Sequence, residues 1–372
     1  MDFRCQVGQL LWVGFDGIVA PAQLLRRIAA SRVGAVLLFK RNIDSLSQAC
    51  ALNDSLHAAA TRDFPILIAV DQEGGRVQRV RAPATEWPPM LRLGEMASAS
   101  DLRAERATIL SENLGRALGL ELAALGFDID FAPVLDVHTN PANPVIGDRA
   151  FATTPSLVTR LAGAMARGLQ SAGILGCGKH FPGHGDTFLD SHLALPRVDH
   201  PEARLHSVEL APFASLPWLP MLMTAHVIFP ALDSVPATLS PRILTELLRG
   251  HFGYRGLVLS DDLEMKAIAD HFGIEEAVER GLLAGCDAFL LCHREDLQLQ
   301  AEEALIRAAE RSPAVRARIE ESAKRVLSMK RQFLAGRPTR PDRAVVGCEN
   351  HRALAMEIAG LSSHPISETP PR

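Results

Sequence analysis

Nothing in this sequence is charged, apolar or repetitive over a long stretch. No run of lysine or arginine stands out, and 39 basic against 43 acidic residues give a formal charge of -4, with a pI near 6.4. Without a basic field to draw phosphates, no nucleic-acid partner is expected. No uncharged apolar segment approaches the roughly 18 residues a spanning helix needs, so no membrane partner is expected. The six cysteines (Cys5, Cys50, Cys177, Cys286, Cys292, Cys348) lack the paired two-residue spacing of a metal or redox motif. Most sit in apolar runs, which points to reduced, buried thiols and a cytosolic compartment. The nine methionines and the single Tyr254 give no cofactor signal. The N-terminus carries no net positive segment, and the apolar run Val7 to Phe15 meets Asp16 without a small-residue cleavage pattern. It reads as a first strand rather than a signal peptide.

What is present is apolar material, 47% of 372 residues, enough for one large core. No linker divides the chain before about residue 337. The reading is therefore a domain over residues 1–336 and a C-terminal helical, mobile tail over 337–372, with a Pro, Ser and Thr-rich end. Short apolar runs alternate with helical patterns. Strands are expected at Leu10–Gly14, Val33–Phe39, Ile66–Val70, Ile129–Val134, Gly173–Gly178, Met221–Val227, Leu257–Leu259 and Ala288–Cys292. Between them, helices are expected at Pro21–Ser31, Ser45–Ala60, Pro155–Ser171, Pro241–Gly250 and Ile274–Ala284, with one capped by Ser111 and running to Leu125. Eight strands, each handing over to a polar turn, favour a single-domain α/β fold of the (β/α)8 TIM-barrel type with a C-terminal helical extension.

The richest stretch is Lys179 to His192, Lys-His-Phe-Pro-Gly-His-Gly-Asp-Thr-Phe-Leu-Asp-Ser-His, which holds three histidines, two aspartates and a lysine on an expected loop. It follows the strand-like run ending at Gly178, and in parallel α/β proteins chemistry sits where strands end. Imidazole titrates near neutral pH, so His192 can give and take a proton, and Asp190 two residues earlier can orient its ring. The glycines at 178, 183 and 185 suggest a loop that closes over a ligand. At Ser260-Asp261-Asp262, side chains alternate at a strand end, so only one aspartate should face the barrel mouth, and the other can cap the next helix.

Lys179-His-Phe-Pro-Gly-His-Gly-Asp-Thr with Asp190-Ser-His192, Ser260-Asp-Asp-Leu, and Val70-Asp-Gln-Glu-Gly-Gly-Arg-Val-Gln-Arg79 together resemble family 3 glycoside hydrolases of the β-N-acetylglucosaminidase (NagZ) type. The resemblance runs from about residue 7 to 335. It implies a retaining exo-glycosidase that removes terminal β-linked N-acetylglucosamine through a covalent glycosyl-enzyme intermediate, without metal or cofactor. By that resemblance Asp261 is the nucleophile, and His192 with Asp190 replaces the usual second carboxyl group as acid/base. Asp71, Arg79, Arg149, Lys179 and His180 would hold the sugar. Arg76 either joins them or buttresses Glu73 or Asp71. His184 and Asp186 shape the loop, and His226 is as well read as a core histidine as a substrate contact. With the expected cytosolic location, the implied substrate is an amino-sugar glycoside or muropeptide, namely N-acetylglucosaminyl-anhydromuramic acid fragments.

Two other chemistries stay open at this point. Phosphate could replace water, because a histidine acid/base does not repel a phosphate dianion as a glutamate would. Alternatively, His180, His184 and His192 could ligate zinc in a barrel metallohydrolase. Pro182 and Gly183 argue against the helical spacing that such a site needs.

Overall fold

A computed structural model describes residues 2–191 and 195–360. Eight parallel strands close a barrel in sequential order. They are β1 Leu11–Val13, β2 Ala35–Leu38, β3 Leu67–Val70, β4 Ile129–Asp130, β5 Leu175–Phe181, β6 Met221–Thr224, β7 Leu257–Asp262 and β8 Ala288–Leu291. Closure runs through β1 and β8, where Leu11 pairs with Phe289 and Val13 with Leu291. The expected (β/α)8 barrel is the observed fold.

Alternation along the strands builds two apolar shells. Trp12, Ala35, Leu37, Leu67, Ala69, Ile129, Cys177, Met221, Leu257, Leu259 and Leu290 pack together in the barrel interior. Their neighbours Leu11, Val36, Ile68, Leu222, Val258 and Phe289 belong to the outer core under the helices. Burial on both faces explains why each strand reads as an unbroken apolar run. Truncating one interior side chain, such as Leu259→Ala, costs about 2–5 kcal/mol. The lower end of the barrel is covered by the helix Pro313–Gly336, whose Val326, Met329 and Phe333 reach the interior cluster. From the same helix the buried Lys330 donates to Gln9 Oε1 at 2.7 Å, the Gly34 carbonyl at 2.5 Å and the Pro65 carbonyl at 2.9 Å.

Three expectations need correction. The run Val7–Phe15 is not one strand, because Val7 to Gln9 end a helix that begins at Phe3 and only Leu11–Val13 extends. The long helix spans Asp101–Leu125 and is capped by Ser100, whose Oγ accepts from the Arg103 amide. Ser111 lies buried inside it and donates to the Leu161 carbonyl, so its hydroxyl serves helix packing rather than a helix start. Finally, Lys179 to Phe181 are the last residues of β5 and not loop.

The last described helix, Glu349–Ile358, lies against Asp101–Leu125. His351 Nδ1 meets Glu121 at 2.8 Å and Arg106 pairs with Glu357. No helix among the described residues is long and apolar enough to cross a membrane.

Candidate active site

The inward parity of three strands sets the floor of the site. Leu67 and Ala69 point into the barrel, so Asp71 continues that row. Cys177 is followed in the same way by Lys179, and Leu257 and Leu259 by Asp261. All three line one cavity of about 230 Å³ at the C-terminal mouth, together with Glu73, Arg79, Arg149, His180, His184, Ser191, Asp262 and His293.

The charges in that cavity interlock. Lys179 Nζ lies 2.7 Å from Asp71 Oδ1 and 2.5 Å from Glu73 Oε1. Arg149 forks onto both oxygens of Glu73 at 2.8 Å, and Arg79 reaches Asp71 at 3.5 Å. Burial alone would raise Glu73, but Arg149 and Lys179 outweigh it and hold the carboxyl far below its ordinary range. The same partners act in reverse on Lys179, where Asp71 and Glu73 overcome burial and push the ammonium up. The antiparallel pair Gln72–Gly74 and Val77–Gln78, which carries Glu73, is fixed by Gln72, whose Oε1 accepts from the Arg79 and Val80 amides at 2.9 and 3.0 Å. Polar residues that donate and accept in fixed positions suit a ligand dense in hydroxyls.

His180 is oriented by Asp136, with Nδ1 2.7 Å from Oδ2. Against burial, the charge and hydrogen bond of His180 keep Asp136 below its ordinary value. This leaves Nε2 of His180 as the ring atom for a ligand. His184 serves the loop. Its Nε2 meets Ser191 Oγ at 2.9 Å, its Nδ1 meets Thr187 Oγ1 at 2.8 Å, and its amide donates to Asp136 at 2.6 Å. Burial, then the charge of His180, lowers it to about 4, so the ring is neutral at ordinary pH. With both nitrogens engaged, His184 offers no ligand atom to the metal-centred reading.

The loop glycine at 185 has a packing reason. A Cβ there would lie 1.8 Å from the Val137 carbonyl oxygen, so only glycine lets the loop seat on the segment after β4. Asp190 is half-buried one residue before Ser191, which lines the cavity. His192 lies outside the described residues.

Asp261 Oδ1 accepts from the Asp262 amide at 2.8 Å. Both aspartates line the cavity, against the expectation that one would turn away. The ladder between β7 and β8 shifts between Ala288–Leu259 and Leu290–Asp262, which breaks strict alternation there. Asp262 also accepts from the Glu264 amide at 3.1 Å, the local capping expected of it. Burial and then the Glu264 charge raise its carboxyl to about 7. His226 is a core histidine, with Nδ1 2.8 Å from Thr238 Oγ1 and Nε2 3.0 Å from the Asp262 carbonyl, so it steadies the strand end. Arg76 leaves the site and instead binds Asp148 at 3.0 Å and the Ile146 carbonyl at 3.0 Å.

Sequence reasoning passed over Glu73 and Asp136 as site residues. Glu73 shares a strand-end motif with Asp71, and Asp136 follows an apolar run in the same way, so strand-end position was the usable signal for both.

A family model for the glycosyl hydrolase family 3 N-terminal domain matches residues 3–329. The chain belongs to glycosyl hydrolase family 3. Among curated relatives, the β-hexosaminidase of Alkalilimnicola ehrlichii is 43% identical over 77% of this chain and 81% of its own length. A family 3 β-N-acetylglucosaminidase from Paenibacillus sp. str. FPU-7 superposes with a TM-score of 0.87 at 38% identity, over 97% of this chain and 69% of that one. Native NagZ from Neisseria gonorrhoeae gives 0.78 at 32% identity, over 95% and 98%. The activity class is that of a β-N-acetylhexosaminidase.

Proposed function

We propose that the chain is a retaining exo-β-N-acetylglucosaminidase in which Asp261 attacks the anomeric carbon and His192, oriented by Asp190, first protonates the leaving oxygen and then deprotonates water. The observation that carries this reading is the position of Asp261. It sits in the inward row at the end of β7, in the same cavity as the Asp71, Lys179 and His180 side chains. Its Oδ1 is tethered by the next amide. A tethered carboxylate beside fixed hydroxyl-binding groups meets the positional demand on a nucleophile.

In this mechanism Asp71, Arg79 and His180 hold the sugar hydroxyls. Lys179 and Arg149, joined through Glu73, keep that acceptor and donor set rigid. Attack by Asp261 breaks the bond to the aglycone while the imidazolium of His192 supplies the leaving proton. Water then releases the sugar and returns the proton to the ring. The aglycone we assign is the anhydromuramic acid unit of a muropeptide, a fragment of the kind returned in peptidoglycan recycling. The motif resemblance of residues 70–79, 179–192 and 260–263 supports that assignment.

The test is release of chromophore from an aryl β-N-acetylglucosaminide beside the corresponding glucoside, with and without phosphate and chelator. Activity on the acetamido sugar alone, independent of both additions, is the expected result. Asp261→Ala should lower it by roughly 10⁴-fold or more, and His192→Ala by about 10²–10⁴-fold. Phosphate-dependent turnover would replace hydrolysis by phosphorolysis, and loss on chelation together with an Asp261→Ala variant as active as wild type would move the chemistry to a metal.

A further inference from the structure

We propose that Asp186, His200 and Glu209 form a binding site for a divalent transition-metal ion, apart from the sugar cavity, that clamps the loop after β5 to the chain following it. Each residue offers one ligand atom, and these atoms lie within 4.8 Å of one another. Ligands at about 2.0–2.2 Å from one ion stand about 3 to 4.4 Å apart, so an ion would enter by parting Asp186 from His200, which touch, and drawing Glu209 toward them. None of the three lines the cavity of Asp261.

Asp186 and His200 pair directly, and the groups around that pair suit an ion between it and Glu209. Asp186 Oδ2 touches His200 Nε2, while Oδ1 is held by the Thr139 hydroxyl at 3.0 Å, the kind of outer partner that orients a ligating carboxylate. Glu209 is buried, and its Oε1 accepts from Arg204 at 3.2 Å. Its Oε2 is buried with no hydrogen-bond partner among the described residues. A carboxylate oxygen removed from water without a partner is costly, and a cation between it and Asp186 would remove that cost.

Charge and donor type narrow the ion. Two carboxylates against one guanidinium leave a net negative site when the imidazole is neutral. One nitrogen and two oxygens, with no thiolate, suit zinc, manganese or cobalt rather than a soft monovalent ion. Glu209 also packs under the loop, since a Cβ at Gly183 would lie 3.0 Å from Glu209 Cβ. A bound ion would therefore fix Asp186, four residues before Asp190, against that base. The inference does not depend on which glycoside the enzyme cleaves.

The experiment strips the full-length protein with chelator, removes the chelator, and titrates cobalt(II) while recording heat and visible absorption. The expected result is one ion per chain, with d–d bands and no thiolate charge-transfer band. The isosteric Glu209→Gln and the His200→Ala variants, each checked for folding by circular dichroism, should bind at least about 10-fold more weakly. Absence of cobalt binding to the wild type would overturn the proposal. So would a thiolate band, or wild-type affinity in Glu209→Gln.

Discussion

Two fully buried lysines stand at opposite ends of one barrel, and their partners send them in opposite directions although burial lowers both. Lys330, at the lower end, faces the Gln9 side-chain oxygen and two backbone carbonyls, and burial pulls it down to about 7. Lys179, at the mouth, faces two carboxylates, which hold it well above its ordinary value despite equal burial. Neutral acceptors satisfy the hydrogen bonds of an ammonium but do not offset its lost hydration, whereas ionised ones do. The mouth is therefore a charged, ordered surface ready for a polar ligand, and the lower end is a plug.

The comparison breaks most visibly at Glu73. Glu73→Gln leaves Lys179 and Arg149 buried around a neutral amide, and should cost about 3–5 kcal/mol in urea denaturation together with most activity. A variant of wild-type stability would mean that Asp71 alone carries both cations. At the other end, Lys330→Met should preserve activity and reveal a pH signature. Between about 7 and the ordinary value of 10.5, the unfolded chain holds a proton that folded Lys330 does not. Wild-type stability relative to the variant should therefore rise with pH across that window, by at most about 1.4 kcal/mol per unit, and stay level below 7. A level difference throughout would show that the three acceptors keep the ammonium as well as carboxylates would.

His184 repeats the argument in a shorter window. Lowered to about 4 from an ordinary 6.5, it should lose stability as pH falls from 6.5 toward 4. In His184→Gln that slope should flatten by up to about 1.4 kcal/mol per unit over the same range. An unchanged acid limb in denaturant titrations at successive pH values would mean that His184 takes up its proton without disturbing Ser191 and Thr187.

The same contrast explains what the amino-acid order disclosed. Strands with two apolar faces stood out as continuous runs, and the charged residues that end them, Asp71, Lys179 and Asp261, proved to share one cavity. Their partners were harder to read. Glu73 meets Arg149 across 76 positions, and Asp136 meets His180 across 44, distances set by barrel closure and not by local spacing. Ser100 and Ser111 show the limit in a helix, because either serine could cap and only packing against Leu161 separates them. Alternation failed at Asp262, where the register of β7 against β8 shifts.

The central claim is that Asp261 forms the bond to sugar. The most direct measurement is mass spectrometry of peptides from enzyme quenched with a fluorinated N-acetylglucosaminyl donor, chosen to load the intermediate faster than it is released. A single sugar adduct on the peptide containing Asp261, mapped to that residue and absent from Asp261→Ala, is the predicted result. An adduct on Asp262, or none while the donor is being consumed, would contradict it.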